Sequence, residues 1–466
     1  MRKANIIRAL AVAAGLTFSV AALAGRHLSA DGPHAGSFVS SNVSGVLETL
    51  DLNGQIDLGN PFFADLGSNG RRCVTCHIPW EGWSITPEGV RLRFALTRGR
   101  DPIFRSNDGS NCEGVAPRTL SERRTAYGLL LDRGLVRVGL DVPADAEFAV
   151  DHVTDPFGCA PGASGVSVYR RPLPSTNLRF LSAVMWDGRE SSSTTTVRQD
   201  LLRQANDATR GHAAALADLS PRQAQQIVDF EMGLFTAQIR DRRAGSLRTA
   251  GATGGPAGLS QQPFFLGIND PVGLNPSNAA FDPAVFDIFD AWAALRPSHD
   301  ATAEARRAIA RGQTLFNTKS FTLSGVAGLN GQRFASGMTP PDSFQGTCTI
   351  CHDTPNAGDH SVKAPLNIGL SEPDVAPYLP VYTLRNLQSG ETVRTTDPGR
   401  ALITGRWSDV GKFKGPILRA LASRAPYFHN GSARTLDEAV DFYDKRFAIG
   451  FTAREKADLV AFLRSL

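Results

Sequence analysis

One five-residue pattern constrains this chain more than any other, and it occurs twice: Cys73-Val74-Thr75-Cys76-His77 and Cys348-Thr349-Ile350-Cys351-His352. Two thiols three positions apart, with a histidine directly behind the second, form the attachment pattern of a c-type haem. The thiols add across the porphyrin vinyl groups, and the histidine is then held under the iron. A thioredoxin-like pair or a zinc site also uses C-x-x-C, but neither accounts for the histidine that follows both pairs. The pairs also lie 275 residues apart, and the chain has only six cysteines and nine histidines in 466 residues. Two covalent haem c groups, with His77 and His352 as proximal iron ligands, are therefore expected. Any fold for this chain must build two haem cavities.

The chain starts with a basic segment, Arg2, Lys3 and Arg8. An apolar run follows from Ala9 to Gly25 and contains Ala22-Leu23-Ala24. This reads as a secretory signal peptide over 1–24, cut at a small-residue site. The alternative is a single membrane anchor, but the run is slightly short for one. Export predicts a periplasmic protein that is not membrane-bound once the signal is removed. Loss of the three basic residues takes the formal charge from +4 to +1. No electrostatic case for nucleic acid remains. About 440 remaining residues exceed one ordinary core, so two domains are expected.

Cys112 and Cys159 are left over, both in loop-like sequence. An oxidising compartment permits a disulfide between them; two free thiols are the alternative. Helical patterns run over 197–242 and 304–317, and residues 26–70 read as a loosely structured lead-in. No β-alternation stands out. The expected fold class is mainly α: two cytochrome c-like haem domains with long loops, the first expanded. The expected divisions are 25–300 and 301–466. Near the C-terminus, Thr435-Leu436-Asp437-Glu438 and Thr452-Ala453-Arg454-Glu455 read as capping boxes. Leu436, Ala439, Val440 and Tyr443 share one helix face.

Three further segments carry a resemblance. They are Trp186-Asp187-Gly188-Arg189, Leu201-Leu202-Arg203-Gln204-Ala205, and Phe413-Lys414-Gly415-Pro416-Ile417-Leu418-Arg419 leading to Ala425-Pro426-Tyr427-Phe428-His429-Asn430-Gly431. With the haem motifs, they resemble the bacterial di-haem cytochrome c peroxidase and MauG superfamily, in its long MauG- and MbnH-like branch. The resemblance implies an enzyme that reacts with hydrogen peroxide at the first haem and oxidises a partner protein. A respiratory peroxidase fed by a small redox protein, a non-catalytic electron-transfer cytochrome and an oxygenase acting on a polymer are the other readings. The resemblance makes Trp186 a relay between the haems, where an ordinary buried aromatic is the alternative. It makes Gln204 a distal residue of the first haem.

The family's distal glutamate is missing after Gln204. His212 is the nearest acid/base by type, or else a solvent-exposed helix histidine. Glu231 matches a structural position in the family and is set aside. Tyr443 stands where the peroxidases carry an axial methionine. It is the expected second ligand of the His352 iron, with a hydrogen-bonded core tyrosine as the alternative. The resemblance also implies calcium between the domains. However, the matching stretches, Arg170-Arg171-Pro172 and Ser423-Arg424-Ala425-Pro426, put arginines beside the cation.

Overall fold

In a computed structural model, residues 34, 36–159, 165–297 and 299–466 are described. The signal-peptide segment, 1–24, lies outside them. The described residues carry eleven strands: β1 Phe38–Ser41, β2 Gly45–Asp51, β3 Val136–Leu140, β4 Phe148–Thr154, β5 Val166–Arg170, β6 Leu234–Asp241, β7 Gly245–Ser246, β8 Phe321–Ser324, β9 Ser343–Gly346, β10 Val381–Asn386 and β11 Thr392–Thr395. They pair in the orders β1-β2-β6-β7, β11-β10-β4, β3-β5 and β8-β9. All these pairings are antiparallel. The architecture is mixed α and β, and the expectation of a mainly α fold is corrected.

The reason is local. β6 reads Leu-Phe-Thr-Ala-Gln-Ile-Arg-Asp, and its first six residues are all buried. A strand covered on both faces loses the alternation that marks a half-exposed one. It also follows directly on the Pro221–Gly233 helix, which ends at its glycine. The helical pattern read through 242 therefore stops at 233. The lead-in is corrected too. Residues 38–51 form a hairpin whose second strand is clamped between β1 and β6, with Glu48 and Thr49 fully buried.

The helical expectations at the C-terminus hold better. Asp300 caps the Ala301–Thr318 helix by accepting from the Thr302 and Ala303 amides. Thr452 and Glu455 complete a reciprocal capping box for the Ala453–Arg464 helix. Thr435 accepts from the Glu438 amide, but Glu438 bonds to the Arg434 amide instead of that of Thr435, so that box is incomplete. Leu436, Ala439 and Val440 are buried as the helix face requires, and Tyr443 is half-buried.

Residues 36–466 form one compact unit. The Ala301–Thr318 and Ala453–Arg464 helices pack together. Phe286, Phe289, Trp292, Phe316 and Phe462 fill the core beside them. Gly312 permits the close approach, since a Cβ there would lie 2.0 Å from the Asp458 carbonyl oxygen. Among the described residues, no helix is long and apolar enough to cross a membrane. Cys112 and Cys159 are disulfide-bonded, closing a separation of 47 residues.

Gly312→Ala should force these helices apart and cost about 1–3 kcal/mol, the usual penalty of overpacking. Gly211 ends its helix with no atom near the added Cβ. Gly211→Ala should be neutral or stabilise by up to ~1 kcal/mol. Equal effects of the two changes in chemical denaturation would contradict the packing assigned to Gly312.

Candidate functional site: two cavities with a common wall

Both C-x-x-C-H segments fold into the same local turn. Cys73–Thr75 and Cys348–Ile350 are single 3-10 turns. The amide of each following histidine donates to the first cysteine's carbonyl, at 3.0 Å for His77 and 3.2 Å for His352. The His77 Nδ1–H donates to the Trp83 carbonyl at 3.1 Å, and the His352 Nδ1–H donates to the Gly358 carbonyl at 2.6 Å. With Nδ1 engaged, Nε2 is the nitrogen left to bind a metal. Burial pushes the His77 imidazole down to about 4 and also lowers that of His352. Both rings are neutral, as ligation requires. Cys73, Cys76, Cys348 and Cys351 form no disulfides.

Each turn opens into a cavity of about 1650 Å³, counting its mouth. Phe316, Leu366, Phe413, Leu418, Val440 and Phe447 line the one at His352. Leu178, Leu181, Val184, Leu201, Ala205 and Ile227 line the one at His77. A large, mostly apolar cavity with two cysteines and a neutral histidine on its wall fits a covalently held haem. The donor set therefore fits haem c at both places.

The two cavities have one wall in common. Arg171, Pro172, Leu173, Pro174, Trp186, Lys414, Pro416 and Arg424 border both. Trp186 is buried there, and its indole N–H donates to the Arg171 carbonyl at 2.8 Å. Its ring meets His429 edge-on, 6.2 Å between centroids. The neighbouring Asp187 is fully buried and pairs with Arg170 and Arg189.

The Val197–Gly211 helix turns one face into the His77 cavity: Leu201, Gln204, Ala205, Ala208 and Thr209, with His212 at its C-cap. These positions follow the helical period. Gln204 is half-buried. The His212 side chain is 42% exposed, and its Nδ1 pairs with the Asp108 carboxylate. Asp108 is buried and also pairs with Arg71. Burial pushes the Asp108 carboxyl up, but Arg71 and His212 outweigh it and hold it below the usual range. The His212 imidazole thus lines the cavity with Nδ1 fixed on Asp108 and no hydrogen-bond partner for Nε2 among the described residues.

Sequence reasoning set Glu231 aside, and the structure puts it in this cavity. Glu231 is buried, and its Oε2 has no hydrogen-bond partner. Burial alone pushes its carboxyl up to about 8, so it is mostly neutral at pH 7. Asp108 was missed altogether. A carboxylate 104 residues from His212 leaves no signal in the spacing.

In the other cavity, the Tyr443 and His352 rings are 6.5 Å apart between centroids and nearly perpendicular. The Tyr443 hydroxyl has no partner among the described residues, and burial pushes its phenol up. Calcium does not fit the two stretches the resemblance pointed to. Both present guanidinium groups, and Arg171 donates to the Arg424 carbonyl at 3.3 Å. Among the described residues, no group of three or more His, Cys, Asp or Glu could hold a metal ion.

Part of this chain is similar to curated peroxidases. It is 36% identical over 139 residues to the cytochrome-c peroxidase IdrP1 of Denitromonas iodatirespirans, covering 26% of this chain and 36% of that protein. It is 31% identical over 125 residues to the cytochrome c551 peroxidase of Nitrosomonas europaea, covering 26% of this chain and 31% of that protein. Over that segment the chain is similar to bacterial cytochrome c peroxidases. The similarity spans about a third of the length of those relatives. A solved structure described as a MauG-like protein associated with microbial copper homeostasis aligns with TM-score 0.39 and 16% identity, over 87% of this chain and 86% of that one. No protein-family profile matches.

The state of Glu231 is testable through stability. Its carboxyl is raised by burial in the folded chain from the ordinary value of about 4.5 to about 8. Its contribution is therefore complete below about pH 4.5 and is lost as pH rises through about 8. Denaturant stability of the native protein should fall over that window relative to Glu231→Gln. Parallel pH profiles for the two proteins would show that Glu231 is not held neutral.

Proposed function

We propose that this chain is a periplasmic di-haem c-type peroxidase that reacts with hydrogen peroxide and oxidises a partner protein. The carrying observation is the pair of matched C-x-x-C-H turns, each opening into its own cavity, with Trp186 on the wall between. The relationship to cytochrome c peroxidases supports the same reading. When bound, haem supplies an iron centre at which peroxide can react and which can hold oxidising equivalents.

The protein's part is to position and to move protons. In this reading Gln204 orients peroxide with its side-chain amide. His212 receives a proton from the near peroxide oxygen at Nε2, while Asp108 holds Nδ1 and steadies the imidazolium. The same nitrogen could then hand that proton toward the far oxygen. Glu231 is the second proton source, on the dry side of the cavity. Trp186 is the aromatic bridge for electrons between the two sites. Tyr443 would join His352 in holding the C-terminal haem. The Tyr443 ring lies in the same cavity as the His352 imidazole, 6.5 Å away between centroids, which supports this role, since a phenol oxygen there would find a strong partner in an iron. An anionic oxygen ligand favours the higher oxidation state, which suits storage of oxidising power over simple electron entry.

The relatives' names favour a second reading, in which a cytochrome c is the electron donor and peroxide removal is the task. The two readings part at Tyr443. Tyr443→Phe should change the ferric spectrum of the C-terminal haem and shorten the lifetime of the peroxide-oxidised state, while peroxide still reacts at the first haem. An unchanged ferric spectrum would remove Tyr443 as a ligand and leave the second reading ahead.

Pyridine haemochrome assay should give two haems per chain. His212→Ala together with Gln204→Ala should slow the reaction with peroxide at least 100-fold, ~2.7 kcal/mol in barrier height. A rate within about threefold of the native protein would discard both residues as peroxide-handling groups.

A further inference from the structure

Buried arginines elsewhere in this protein are matched to acids. Arg170 is bidentate to Asp397, at 2.7 and 2.9 Å, and also pairs with Asp187. Arg71 pairs with Asp108. The wall common to the two cavities breaks this pattern. Arg171, Lys414 and Arg419 are 4%, 8% and 2% exposed, and Arg424 lies among them, half-buried. None of the four makes a salt bridge among the described residues.

Their hydrogen bonds go to backbone carbonyls alone. Arg171 donates to Arg133, Gly134, Ile85 and Arg424. Lys414 donates to Ala183 at 2.8 Å, and Arg419 to Asn356 at 3.0 Å. Arg424 donates to Arg419 and Ile417. The Arg419 Nε is buried with no partner at all. The acids that act on the group, Glu81 on Arg171 and Asp359 on Lys414, do so from beyond ion-pair distance.

A buried cation without a counter-ion costs several kcal/mol. Three such cations and the half-buried Arg424, all bordering open cavities, imply anions that arrive from outside the polypeptide. We infer that Arg171, Lys414, Arg419 and Arg424 form a carboxylate-binding wall that receives the propionates of the two haems, and that it does so without a divalent cation. Two haems bring four propionate carboxylates, equal in number to the four cations. Arg171, Lys414 and Arg424 border both cavities, whereas Arg419 borders only the one at His77. Burial pushes Arg171 and Arg419 down to about 9, Arg424 to about 10 and Lys414 to about 8, as expected for cations still lacking their partners. The arginines at 171 and 424 supply charge where the resemblance implied calcium, which is why calcium does not fit there.

The inference rests on haem occupancy of both cavities, not on peroxidase turnover, so its test uses potentials and spectra of the purified holoprotein. A cation near a haem disfavours the more positive oxidised state. Lys414→Met should therefore lower the midpoint potentials of both haems. Arg419→Gln should lower only that of the His77 haem, and Arg419→Lys should restore it. Excess chelator should leave both potentials and the thermal midpoint unchanged. Acetate titration of the native protein should leave the haem spectra flat, since covalently held propionates do not exchange. Equal shifts of both haems in Arg419→Gln, or no shift in either, would overturn the assignment. A chelator-induced shift would overturn the metal-free part. A saturable acetate response would show an exchangeable anion in place of propionates. If Arg419→Gln fails to accumulate, Lys414→Met with the chelator and acetate arms still decides.

Discussion

The arrangement depends on one short-range constraint: a turn so tight that the histidine amide bonds back to the first cysteine carbonyl, at 3.0 Å in one copy and 3.2 Å in the other. That turn points two thiols and an imidazole into one cavity. A backbone carbonyl then takes Nδ1, which leaves Nε2 as the only nitrogen for a metal. Each copy is local, and the two are independent of each other. What makes them one machine is the chain between and after them.

Arg171, Pro172, Leu173, Pro174, Trp186, Lys414, Pro416 and Arg424 do that joining. They border both cavities, so one set of side chains sets the environment on two sides. The Lys414 amide donates to the Trp186 carbonyl at 2.9 Å, and the Trp186 indole donates to Arg171. Trp186 and the cationic wall are thus tied together by hydrogen bonds. A change in charge there acts on both sites, because low-dielectric surroundings carry Coulomb effects further than water does.

How much of this was legible in the sequence follows from range. The two C-x-x-C-H turns were, since five adjacent residues carry each. So were the Asp300 and Thr452 helix starts, because capping is settled within four residues. The burial of Trp186 and the cavity-facing row of Gln204 and His212 followed from motif and helical period. β6 was not legible, because full burial erased its alternation. The β1–β2 hairpin was hidden by Gly, Ser and Asn around a buried strand. Asp108 and the cationic wall depend on contacts across 104 to 253 residues, and no local pattern announces them. Glu231 was visible but judged by its motif position. Only burial and an orphan oxygen reveal what it does differently.

Those last two groups give the first cavity its asymmetry. His212 sits at the wet edge, partly exposed and clamped by a carboxylate that is itself held by Arg71. It is open to solvent and lies against an anion. Glu231 sits at the dry side, with no basic group beside it to stabilise its anion. It is held as a neutral acid. In the proposed reading, two acid-base groups in such unlike surroundings would divide the labour of one proton cycle. A chain without the glutamate expected after Gln204 has therefore not lost a carboxyl group from this cavity. It takes one from the next helix, where burial gives it the protonated form that a donor needs.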